Sequence, residues 1–275
     1  ALKVAPWLIS AAAAWLTFAP CGTALAAHAW KSDGSSALNG TLSFENTINP
    51  AERNKEGELP ASWTKNGGDA KGQVELTGVR GISENIYGAL VESGKGNAYE
   101  SSVSLTGGSF LSGFIAGGAA VSWGTGDAYA NAVTIEDSSV EGLIAGGGVY
   151  DSLGNAYGNA VSISGDSTIS STNGFGGVYG GYVYGSLGKA DRNAVTMSGG
   201  VMGVPVFGGL VEYSAWGPVN LVSVAEPDPA ELSPEPLDVS ADNNTVAFSG
   251  VGVEISTDTL SGAGVKSDGI FGGCV

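Results

Sequence analysis

A chain that breaks or transfers bonds needs a base, an acid or a nucleophile, and few residues here offer one. His28 is the single histidine. It falls in a stretch with the marks of a cleaved leader, so the mature chain has no imidazole base for a Ser-His-Asp site. Cys21 lies in the same stretch and Cys274 stands alone near the last residue, which gives neither a disulfide framework nor a thiolate zinc site. Carboxylates remain. Glu136, Asp137, Glu141 and Asp151 are close in sequence, and glycoside cleavage runs on two carboxyls roughly 5–9.5 Å apart. Against that stands the plainer reading, solvated turns on an acidic face, which we expect. The Gly-Gly-x-Gly-x-Asp calcium nonapeptide is absent. No catalytic, cofactor-binding or metal-ligating residue is assigned, and no cofactor is expected.

One other stretch could touch a partner. From Trp216 to Asp238 there are five prolines (218, 227, 229, 234 and 236) and five acidic residues (226, 228, 231, 235 and 238) with no basic one. Such a loop could engage a basic surface or a cation through Glu226, Asp228, Glu231 and Glu235, with Tyr213 and Trp216 as aromatic contacts at its base. The alternative is a spacer without a partner.

What must position all of these is a repeat. Gly-x-Ala, then Asn or Ser three residues on, then Val two further and an aliphatic two beyond that, recurs at Gly96-Ala98-Ser101-Val103-Leu105, Gly126-Ala128-Asn131-Val133-Ile135, Gly154-Ala156-Asn159-Val161-Ile163 and Gly188-Ala190-Asn193-Val195-Met197. A copy without the Gly sits at Ala241-Asn244-Val246-Phe248. A second block alternates with it, an aliphatic two residues before a Gly-Gly or Gly-Ala pair, led by Ile86, Ile115, Ile144, Val178, Val206 and Ile270. The valines 74, 103, 133, 161, 195 and 246 are spaced by 29, 30, 28, 34 and 51 residues. A period near 30 signals a solenoid or propeller, and the period-two alternation inside it is β. We therefore expect an all-β, right-handed β-helix of about six coils, with two strands and two turns per coil. Val74, Val103, Val133, Val161, Val195 and Val246 should form one interior row, Leu76, Leu105, Ile135, Ile163, Met197 and Phe248 a second, and Ile86, Ile115, Ile144, Val178, Val206 and Ile270 a third.

The polar repeat residues also have structural assignments. Asn131, Asn159, Asn193 and Asn244 should stack as an amide ladder at a turn. The Gly-Gly pairs should be corners that need positive φ or a close backbone approach. They are not phosphate loops, because no Gly-Lys-Ser/Thr follows and no helix pattern begins after them.

In chain order, residues 1–29 carry Lys3, an apolar run from Val4 to Ala19, and Ala24-Leu25-Ala26 and Ala27-His28-Ala29 as cleavage sites, which together read as a secretory signal peptide. The run is about 16 residues against the roughly 20 of a membrane span. Residues 30–71 read as an irregular first coil or cap and 72–275 as the solenoid. Nineteen residues separate Val161 from Gly180, where neighbouring coils have 13 or 14, so Asp166 to Asn173 should bulge outward. The chain opens without Met and stops within a block at Val275, so both ends are expected to be trimmed.

Forty-six glycines in 275 residues are more than twice the usual share of roughly 7%. Hydrophobic content of 43% rules out a simply disordered chain. Without Lys3, 27 acidic residues against 10 basic ones leave a net charge of −17. There is no Lys or Arg between Gly96 and Gly188. Nucleic acid and anionic membranes are excluded as partners, since both require clustered basic residues.

The signal peptide, Val-Tyr-Gly-Gly-Tyr at 178–182, Asn-Ala-Val-Ser-Ile-Ser-Gly at 159–165 and Asn-Ala-Val-Thr-Met-Ser-Gly at 193–199 resemble the Gly-rich repeats of bacterial autotransporter passenger domains. The resemblance covers residues 72–275. It implies a β-helical passenger exported through an outer-membrane barrel and displayed at the cell surface as a non-catalytic stalk or adhesin. A host or bacterial surface protein or glycan would be its partner. The chain departs from the family pattern in having no consecutive barrel strands after the repeats, so the translocator barrel is expected outside this chain. Two other readings are a β-helical carbohydrate-active enzyme and a trimeric adhesin head.

Overall fold

The structure is a computed structural model. It describes residues 28–32, 58–65, 68–78, 85–122, 124–171, 176–185, 188–212, 240–249, 254–255 and 270–274. Among them every regular element is a strand, every pairing is parallel, and the strands stack as a β-solenoid.

Three sheets wrap the core. The first runs β1 (His28–Ser32), β3 (Gly72–Thr77), β6 (Ser102–Thr106), β9 (Ala132–Glu136), β12 (Ala160–Ser164), β16 (Ala194–Met197) and β19 (Thr245–Phe248). The second begins with β2 (Glu58–Lys65), β4 (Asn85–Glu92), β7 (Ser109–Val121) and β10 (Ser139–Tyr150). Beyond β10 it divides. One branch carries β13 (Thr168–Ser170), β17 (Val201–Met202) and β20 (Glu254–Ile255), the other β14 (Gly177–Tyr184), β18 (Val206–Glu212) and β21 (Ile270–Cys274). The third consists of two-residue strands, β5 (Ala98–Tyr99), β8 (Ala128–Tyr129), β11 (Ala156–Tyr157) and β15 (Ala190–Asp191). A coil thus has three strands and three corners, where the spacing predicts two. Gly-x-Ala is not simply a turn: its Ala drops inward beside Ala120, Val149, Val183 and Val211 and closes a narrow third side of the core.

The rows arise from period two. In β9 and β12 the valine and isoleucine are buried while the residues between them face outward. Parallel register then sets Val133 against Val161 and Val195, and Ile135 against Ile163 and Met197. Ile86, Ile115, Ile144, Val178, Val206 and Ile270 align across the second sheet. A further interior row, Phe110, Val140, Ile169 and Met202, fills the start of that sheet. Each fully buried aliphatic contributes about 1.5–3 kcal/mol.

Two expectations are corrected. The Gly-Gly pairs lie within strands, and positive φ occurs in the corners instead, at Glu100, Ala130, Gly158, Arg192 and Asn243 in successive coils. The pairs serve close approach: a Cβ on Gly117 would stand 2.5 Å from the Gly146 carbonyl oxygen, and one on Gly118 2.6 Å from Asn131 Oδ1. The expected bulge from Asp166 to Asn173 is not present over residues 168–170. The Asp166 N–H donates to Asp137 Oδ1 at 2.9 Å, and Thr168–Ser170 stays paired with Ser139–Glu141, because Ile169 must fill the place beneath Val140. β13 ends at Ser170, and residues 172–175 lie outside the described residues.

Candidate functional site

Each corner of the coil has its own polar ladder. Between the third and first sheets, the Asn131 amide donates to Asn159 Oδ1 at 3.1 Å, Asn159 to Asn193 Oδ1 at 3.0 Å, and Asn193 to Asn244 Oδ1 at 3.1 Å. Each also donates one coil back, to the carbonyls of Ala98, Ala128 and Ala156. Asn131, Asn159 and Asn193 are at most 1% exposed, and buried amides are tolerated when their hydrogen bonds are made. At the corner between the first two sheets Ser138 and Ser167 play this part, accepting the N–H groups of Gly108 and Ser138. At the remaining corner Asp69, Asn97, Asp127 and Asn155 alternate. Asn97 donates from backbone and side chain to Asp69 Oδ1, and Asn155 likewise to Asp127 Oδ1. The alternation has a cause: an ionised Asp only accepts, so its neighbour must donate.

The four carboxylates considered for catalysis do not converge. Glu141 lies near the start of β10 and Asp151 just beyond its end. Glu136 follows the inward Ile135 and faces out from the first sheet, whereas Glu141 follows the inward Val140 and faces out from the second. Asp137 occupies the corner between them at φ 48° and accepts the Asp166 N–H. Their positions diverge around the coil.

Two aromatic groups have no counterpart in the expected sites. On the third side Tyr99, Tyr129 and Tyr157 form a half-buried stack, with ring centroids 5.7 and 5.1 Å apart and interplanar angles of 23° and 5°. Lys71 lies 5.7 Å above the Tyr99 centroid and Arg192 5.5 Å above that of Tyr157, so a cation covers each end. Lys71 also pairs with Glu100. Burial, followed by the neighbouring rings and carboxylates, raises the hydroxyl pKa of Tyr129. Burial also raises that of Tyr157, where Asp127 adds to the shift and Arg192 opposes it. The signal was present in sequence as Ala-Tyr at 98–99, 128–129 and 156–157.

The second group covers the outer face of the second sheet. Tyr87, Phe114, Tyr150, Tyr179, Tyr182 and Phe207 are joined by ring contacts of 4.5–5.6 Å. The Tyr150 and Tyr179 rings lie back over Gly148 and Gly177, where a Cβ would strike them. Tyr182 donates to Glu212 Oε2 at 2.8 Å. Tyr150 is half-buried as a residue, but its hydroxyl is buried and has no hydrogen-bond partner. Burial, reinforced by Tyr182, Tyr87 and Tyr179, holds that hydroxyl well above its ordinary pKa. Burial does the same for Tyr182, with Tyr179 and Glu212 adding to it.

Tyr213, Trp216, Glu226, Asp228, Glu231 and Glu235, the expected interaction loop, lie outside the described residues. Among the described residues no group of three or more His, Cys, Asp or Glu could hold a metal. Comparison of the chain with protein-family models, curated proteins and solved structures finds no match.

Proposed function

We propose that this chain is the exported passenger of an autotransporter-like surface protein, a non-catalytic scaffold or adhesin whose translocator barrel lies outside the chain. The observation that carries this reading is the use made of the repeat. Its valines and isoleucines fill interior rows, its asparagines form a closed amide ladder, and its glycines admit the neighbouring coil. Seven parallel strands in the first sheet, at about 4.8 Å each, extend the wall for roughly 30 Å. Such a stack rigidly presents a long surface, which is what a stalk or an adhesin requires. The diverging carboxylates weigh against the carbohydrate-active alternative. The tyrosine stack does too, because its ring faces are taken by one another and by Lys71 and Arg192 instead of lying open for a sugar.

Export is tested by N-terminal sequencing of the protein recovered outside the cytoplasm. Cleavage after Ala26 leaves β1 whole, whereas cleavage after Ala29 removes two of its residues. The expected start is therefore Ala27, with Trp30 as the other site. A recovered chain that retains Lys3 would overturn the proposal.

A further inference from the structure

We propose that Tyr129 and Tyr157 form an oxidative modification site, at which a one-electron oxidant of phenols joins two successive coils through a dityrosine bond. The parallel register places Tyr157 directly against Tyr129, although 28 residues separate them. Their ring centroids are 5.1 Å apart and the rings lie within 5° of parallel, so the two phenols are held side by side in a stack. Both rings are half-buried, and the residues that follow them, Ala130 and Gly158, are small and exposed. Both residues are thus partly open to solvent while the parallel backbone pairing holds them together.

The chemistry balances. Each phenol gives one electron to the oxidant and one proton to water, leaving a neutral radical whose spin is shared with the ortho carbons. One ortho carbon of each ring joins in a new C–C bond. The hydrogen on each coupled carbon then moves to oxygen, which restores both phenols. Two electrons and two protons leave in all, and with hydrogen peroxide as the terminal oxidant they convert it to two waters. Other tyrosines are worse placed. Tyr179 and Tyr182 stack at 4.5 Å but are 8% and 7% exposed, and the Tyr182 hydroxyl is engaged by Glu212. Tyr99 and Tyr129 are farther apart and more tilted. Tyr99 and Tyr157 are two coils apart.

The bond would close a 28-residue loop within one chain and restrict the unfolded state. The full chain, kept dilute, is treated with a peroxidase and hydrogen peroxide, and followed by dityrosine fluorescence, intact mass and peptide mapping. The expected product is a monomer lighter by two hydrogens, with a cross-linked peptide pair containing Tyr129 and Tyr157 and a raised melting temperature. Tyr129→Phe, which keeps an aromatic ring in the stack, should lower the monomer's dityrosine yield at least tenfold. Tyr179→Phe should leave it unchanged, and unaltered circular dichroism of both variants confirms that they are folded. Cross-links found only between chains, a cross-link mapped to other tyrosines, or an undiminished yield in folded Tyr129→Phe would each overturn the proposal.

Discussion

Asn131 and Gly118 show how closely single residues are coupled across a coil. The amide of Asn131 fills the space that a Gly118 side chain would need, and Gly147, Gly181 and Gly209 face Asn159, Asn193 and Asn244 in the same way. In the preceding coil the register replaces Gly118 by Ala89, and the ladder position is held by the smaller Ser101. The repeat exchanges both residues together. Gly118→Ala alone should cost about 1–3 kcal/mol through overpacking. Combined with Asn131→Ser it should cost less than the two single changes added, with a coupling of at least about 1 kcal/mol in a denaturation double-mutant cycle. Additive losses would show that glycine and asparagine are independent.

Tyr150 supports a second residue-scale prediction. Its buried hydroxyl lacks a partner, and such a group costs about 1–3 kcal/mol. Tyr150→Phe should therefore stabilise the fold by about 1 kcal/mol at neutral pH. The pKa values of Tyr150, Tyr179 and Tyr182 are raised in the fold. Above about pH 10 an unfolded tyrosine loses its proton while these keep theirs, so the unfolded state gains. The penalty for ionising them is absent below about pH 10 and grows as pH rises towards the folded values, so stability is lost over that range. Denaturation midpoints should fall steeply above pH 10, and less steeply in Tyr150→Phe.

At the scale of strands, the interior rows were legible because Val-x-Ile is a period-two signal that repeats at nearly constant spacing. The amide ladder was legible for the same reason. The third sheet was not, since Ala-Tyr is too short to alternate, and only stacking against neighbouring coils makes it a strand. The aromatic groups were hidden likewise: Tyr99, Tyr129 and Tyr157 meet only once the register is known. The pairing of Thr168–Ser170 was not foreseen because residue counting locates an insertion within a coil but does not reveal that Ile169 holds the register against Val140. Val161→Asp or Ile144→Asp should destabilise the solenoid by several kcal/mol, each placing an unpaired charge in the core. Asp166→Ala removes an exposed side chain and should be near neutral. Equal thermal shifts for the two classes would refute the row assignment.

At the scale of the molecule, a strongly acidic surface surrounds a core held by rows and ladders, and a charge of −16 favours solubility over self-association. Because each coil is sustained by its neighbours, the stack can be long without disulfides or metals. The central functional claim is that this scaffold stands outside the cell. Treating intact cells that carry the full gene with an external protease, and detecting the chain with an antibody to the solenoid, tests it most directly. The account predicts that protease removes the chain from unbroken cells while a cytoplasmic marker survives. A chain that stays intact until the cells are lysed, and is then degraded, would contradict it.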